Sequence, residues 1–64
     1  MEKNILVEVY DKTLEEASAI VEARGMQIRV VAKDGEYFLV TQDLKFDRVN
    51  VSLVNNIVKE ANVG

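Results

Sequence analysis

A chain of 64 residues with no cysteine and no histidine has only its own packing to brace it. No disulfide can close a loop, and no cysteine–histidine zinc site can stand in for a core. A domain of this length buries roughly 60% of the surface its unfolded chain exposes, so one small core has to be placed economically. The same two absences exclude Ser-His, Cys-His and metal-His catalysis within one chain. Residues 1–64 therefore read as a single domain in which apolar spacing decides the fold.

That spacing is informative along most of the chain. Ile5, Val7 and Val9 alternate with Leu6, Glu8 and Tyr10, and the β-branched content predicts a strand over residues 5–10. Asp11-Lys12 breaks the pattern. Thr13 with Glu16 three residues on forms a capping box, and Leu14, Ala17, Ile20 and Val21 follow on one helical face. Gly25 suits a left-handed helix end, so the helix is predicted over residues 13–24. Met26, Ile28, Val30 and Ala32 fall on one side of a second strand, with Gln27 and Arg29 on the other. Asp34-Gly35 is a turn signal. Tyr37 to Thr41 is extended and apolar. Over residues 46–54, Val49, Val51 and Leu53 point one way and Arg48, Asn50 and Ser52 the other; Phe46 is assigned to the core. Asn55-Asn56 predicts a tight turn, since Asn tolerates positive φ, and a last strand follows over residues 57–63. The expected fold class is α+β: a single helix packed on a small mixed β-sheet, with an extended loop or hairpin near residues 33–41. If the strands flanking the helix are parallel, their crossover should be right-handed.

Charge narrows the partners. The net charge is −3 and the eight Lys and Arg residues are scattered, mostly beside acids, which argues against nucleic acid. No basic stretch leads into a long apolar run and none approaches a membrane span, so neither a signal peptide nor a membrane partner is expected, and the cytoplasm is the expected location. No metal or cofactor is implied. Asp11, Glu15, Glu16, Asp43 and Asp47 could supply a carboxylate pair, but nothing in the sequence marks a pocket around them, so an enzyme is not expected.

The functional signal is concentrated in residues 39–49, Leu-Val-Thr-Gln-Asp-Leu-Lys-Phe-Asp-Arg-Val. Taken singly, Asp43 reads as a turn residue and Arg48 beside Asp47 as a solvated pair. As an ordered block, Val40, Thr41, Asp43, Leu44, Lys45, Asp47, Arg48 and Val49, with Gln42 in the variable position, resemble the binding loop of the potato inhibitor I family of serine protease inhibitors. Lys12-Thr13-Leu14-Glu15-Glu16-Ala17 is similar to the opening of that family's helix, and Val63-Gly64 to its ending. The resemblance covers roughly residues 10–64. It is shared with small bacterial inhibitor-like proteins carrying an Asp-Arg-(Val/Leu)-Asn-Val strand, which Asn50 and Val51 fit.

The resemblance implies an inhibitor that presents Val40, Thr41, Gln42, Asp43, Leu44 and Lys45 as a substrate-like loop. Gln42 would precede the scissile bond and enter the protease's primary pocket, and Asp43 would follow it. Gln suits neither a cation-binding pocket nor one built for a large apolar group, so a subtilisin-like target is favoured. A preorganised loop loses little entropy on binding and holds cut ends together for religation. Arginine forks are suited to bracing it. Arg48 and Gly64 match the family's supporting residues. Asn50 stands where a second arginine is usual, the chain has no proline, and Gly35 lies farther from the loop than in plant members. Because Asn50 cannot supply the same charged brace, a softer loop is expected. The alternative is a non-inhibitory protein–protein interaction module of the same fold, binding a cellular partner or itself through Tyr37-Phe38-Leu39 or a strand edge.

Overall fold

In the computed structural model, which describes residues 4–41 and 43–64, the chain opens with a helix where alternation predicts a strand. Helix α1 spans Ile5–Val9, and Asn4 caps it by accepting from the Leu6 N–H at 2.8 Å. The same residues satisfy two periods. Alternation groups Ile5, Val7 and Val9, whereas the helical period groups Ile5, Leu6 and Val9. The helix buries Ile5 and Val9, packs Leu6 partly against the core and leaves Val7 69% exposed. Packing at i and i+4 thus overrides the strand preference of β-branched residues. Glu8 pairs with Arg24, tying α1 to the end of the next helix.

Helix α2, Leu14–Ala23, begins at the capping box: the Thr13 hydroxyl accepts from the Glu16 N–H, and the Glu16 carboxylate accepts from the Thr13 N–H. It ends at Gly25, φ 71°, where the Gly25 N–H donates to Glu22 O and the Met26 N–H to Val21 O. This doubly bonded ending needs a left-handed residue, which glycine adopts without a Cβ clash.

The sheet has four strands: β1 (Gln27–Lys33), β2 (Glu36–Tyr37), β3 (Arg48–Val54) and β4 (Ile57–Val63), in the order β2-β1-β3-β4. Pairs β1–β2 and β3–β4 are antiparallel and β1–β3 is parallel. The parallel pair is therefore joined through β2 and the loop, with no helical crossover of the kind the strand assignment at residues 5–10 had suggested. Asp34-Gly35 and Asn55-Asn56 close the two hairpins with positive φ at all four residues, the geometry that matches strand twist. The first hairpin is short: after Phe38 donates to Val31 O at 3.0 Å, the chain leaves the sheet, so residues 33–41 are hairpin first and open loop afterwards.

One face of β3 makes the core. Val49, Val51 and Leu53 join Val58, Ile5, Val9, Ala17 and Val21, with Ile28 and Val30 packed at the edge. A register shift between Val30 and Ala32 pairs Ala32 with Ser52, off the side that simple alternation assigns to it. Phe46, assigned to the core from sequence, is 92% exposed at the turn that leads into β3. The opposite face of β3 carries Arg48 and Asn50, and the loop lies over it.

Candidate functional site

Parallel pairing places Arg29 of β1 beside Asn50 of β3, and Arg48 stands two residues before Asn50 on the same face. Arg48 and Asn50 are each only 7% exposed although both are polar. They can be buried because every donor has a purpose: among the described residues no buried side-chain nitrogen or oxygen lacks a partner.

Arg48 faces inward, toward Asp43 rather than Asp47. Its Nη2 donates to the Asp43 carbonyl oxygen at 2.8 Å and lies 3.5 Å from the carboxylate Oδ1. Its Nε donates to the Gly64 carbonyl oxygen at 2.8 Å. Gly64 is held in return, its N–H donating to Arg48 O at 3.0 Å, and the Asn50 Nδ2 donates to the same Gly64 oxygen at 3.2 Å. A Cβ at Gly64 would sit 3.4 Å from Asn50 Nδ2, an ordinary contact, so the approach of the amide does not depend on glycine.

The leading arm of the loop is held from β1. The Arg29 Nη1 donates to both the carbonyl oxygen and the hydroxyl of Thr41, each at 3.2 Å, while its Nε donates to Asn50 Oδ1 at 2.8 Å. Hydrogen bonding from the Thr41 hydroxyl holds the Asp43 carboxyl below its ordinary value, and the Arg48 guanidinium adds to that effect. Thr41 and Asp43 are thus supported from beneath by separate arginines. Gln42 lies outside the described residues.

Sequence reasoning missed Arg29. It saw the residue on the polar side of β1, and the departing signal was there to read: one long cation between Ile28 and Val30 in a strand apolar enough to be central. Its partner could not be read, because only the parallel β1–β3 register brings Arg29 to Asn50. With Arg29 in place, a guanidinium does reach the loop although position 50 carries no charge, so the expected lack of a second arginine brace is not what the structure contains.

Around the supports, the loop turns its apolar side chains outward. Leu39, Leu44 and Phe46 are almost wholly exposed, Tyr37 largely so, and Lys45 is exposed as well; Val40 and Phe38 are partly covered. The carboxylates weighed as an acid–base pair are dispersed: Asp11 meets Lys59, Glu15 meets Asn56, Glu16 closes the helix cap and Asp43 belongs to the loop. A groove of about 740 Å³ runs beside α1 and β4, lined in part by Leu6, Tyr10, Lys59 and Ala61, and shares no residue with the loop. Among the described residues no group of three Asp or Glu could hold a metal ion, and no helix is long and apolar enough to cross a membrane. Compared with protein-family models and with curated proteins, the sequence matches none.

Proposed function

We propose that this protein is a serine protease inhibitor-like binder that offers residues 40–45 to a subtilisin-like enzyme as a substrate-like segment. The observation that carries the reading is the position of Arg48: buried, and bonded at once to Asp43 in the loop and Gly64 in the body of the domain. A loop that merely joins two strands has no need of a buried guanidinium beneath it. A loop that must stay extended in a protease cleft does, because support made before binding is entropy not lost on binding. The outward-facing Leu39 and Leu44 flank the proposed scissile bond and give a protease cleft apolar contacts on both sides.

The test is to titrate a subtilisin with the protein, following residual activity together with the integrity of the bond after Gln42. Slow cleavage and loss of activity support the reading. Gln42→Leu should tighten inhibition, since burying a larger apolar side chain gains about 1.5–3 kcal/mol. A fully active enzyme with the loop left uncut, or rapid cutting as of any peptide, would count against it.

A second reading, a non-inhibitory interaction module, is favoured by the exposed apolar row Tyr37, Leu39, Leu44 and Phe46. Leu39→Asp separates the two by where binding is lost: protease inhibition in the first case, a protein partner or a second copy of the chain in the other.

A further inference from the structure

We infer that Arg29 and Asn50 act as one unit, Arg29 as the positioning residue for the loop's leading arm and Asn50 as the relay that ties it to Gly64. This rests on the inhibitor reading for its functional consequence but not for its geometry. The contacts form one continuous chain beneath the loop, from Thr41 to Asp43. Arg29 donates to Thr41 at one end and to the Asn50 side-chain Oδ1 at the other. The Asn50 amide nitrogen donates to Gly64 O, which also accepts from Arg48, and Arg48 donates to Asp43.

The chemistry of position 50 follows from its two neighbours. It must accept from a guanidinium on one side and donate to a carbonyl on the other. A carboxamide does both from a single side chain; a carboxylate only accepts, and a guanidinium only donates. The orientation of the amide is fixed by those partners, since its oxygen faces a donor and its nitrogen an acceptor. Asn50 is therefore matched to Arg29 and is not a weakened arginine. An arginine at 50 would set two guanidinium groups against each other at a buried position and leave the Arg29 Nε without its acceptor.

The network gives the two halves of the loop separate tethers, Arg29 for Thr41 and Arg48 for Asp43. If the bond between residues 42 and 43 is cut, the new carboxyl end stays held through Thr41 and Arg29, and the new amino end through Asp43 and Arg48. Both ends remain poised for religation because neither tether passes through the broken bond.

The experiment compares wild type with Arg29→Met, Arg29→Lys, Asn50→Asp, Asn50→Arg and Arg48→Met by two measurements. The first is backbone ¹⁵N relaxation of residues 39–41 and 43–45 in the free protein. The second is the ratio of intact to cut protein at equilibrium with a catalytic amount of subtilisin. Arg29→Met should mobilise residues 39–41 while 43–45 stay ordered, and Arg48→Met the reverse. Both should move the ratio toward the cut form by roughly tenfold, the size of one charge-assisted hydrogen bond. Asn50→Arg should loosen the leading arm, because Arg29 loses its acceptor, whereas Asn50→Asp keeps that acceptor and should release Gly64 instead. Arg29→Lys should restore order only in part, because a single ammonium cannot span both acceptors. Unchanged relaxation at residues 39–41 in Arg29→Met would overturn the inference, as would an Asn50→Arg loop as ordered as wild type. If wild type neither inhibits nor is cut, the inhibitor reading fails while the relaxation data still decide the role of Arg29. Should Arg29→Met not fold, Arg29→Lys and Asn50→Arg carry the same comparison.

Discussion

Replacing Arg48 by Met keeps most of the aliphatic stem and removes every donor, so it isolates the polar contribution of the brace. Two bonds from a charged group are lost, both at 2.8 Å: one to Gly64 O and one to Asp43 O. Bonds to charged groups contribute about 1.5–3 kcal/mol each. The full sum does not apply. Gly64 O keeps the Asn50 amide, and the Asp43 carbonyl sits at an exposed residue where water can replace the guanidinium. The ion pair with Asp43 is long, at 3.5 Å, and open to solvent on the Asp43 side, so it adds little. A net loss of about 3 kcal/mol follows. For 64 residues, total stability is on the order of 3–10 kcal/mol, so the variant is severely weakened. Its melting temperature should fall by roughly 12–24 °C. Thermal and urea unfolding followed by circular dichroism measure this, with an unchanged urea slope required for the comparison to hold. Lys45→Met, which removes an exposed loop cation, is the control and should change stability by less than about 0.5 kcal/mol. A melting point within about 3 °C of wild type for Arg48→Met would refute the reasoning, because the buried donors would then be exchangeable for water at no cost.

The helical start of the chain predicts an asymmetry that a strand would not: Val9→Ala should cost about 2 kcal/mol and Val7→Ala almost nothing, whereas alternation places both residues on one face. Equal effects in urea titrations would reject α1. Thr13→Ala removes the hydroxyl half of the capping box, leaving the backbone N–H of residue 13 to donate to Glu16, and should cost about 1 kcal/mol, with faster amide exchange at Glu16 as the local sign. The Asp43 carboxyl has a lowered pKa in the folded protein, so its contribution is present above the ordinary aspartate range and lost as pH falls through the folded value. Loop mobility and cleavage should therefore rise on acidification below that range and stay flat from pH 5 to 8; an NMR titration placing Asp43 at or above an ordinary aspartate would contradict this.

What the sequence made legible was local. The α2 boundaries follow from Thr13, Glu16 and Gly25, each acting within a few residues of itself. The two tight turns follow from Asp34-Gly35 and Asn55-Asn56 for the same reason, and the inward face of β3 from simple alternation. The start of the chain was misread because Ile-Leu-Val-Glu-Val satisfies both periods over five residues, and too few turns are available to tell them apart. The selecting contacts, Ile5 and Val9 against Ala17 and Val21, belong to the tertiary structure. Phe46 is not a core residue: alternation continued back from β3 puts it on the Arg48 side, and it lies before the strand starts, in a turn that faces solvent.

The loop's support divides along the same line. Arg48 is legible through the resemblance of the 39–49 block, which carries loop and support in one short stretch; by itself it reads as a solvated pair with Asp47. Arg29 was not found because it is twelve residues from Thr41 and twenty-one from Asn50, and the distance closes only when β1 and β3 pair in parallel. An antiparallel hairpin would have kept the residues of β1 with their near neighbours in sequence. The parallel pairing instead carries the chain from the end of β1 back to the start of β3, and the loop has to cross the face that bears Arg29 and Asn50. Topology therefore supplies what composition withholds. In a chain with neither cysteine nor histidine, the loop is fastened by a strand it does not adjoin, and an uncharged residue at position 50 is what lets that strand take part.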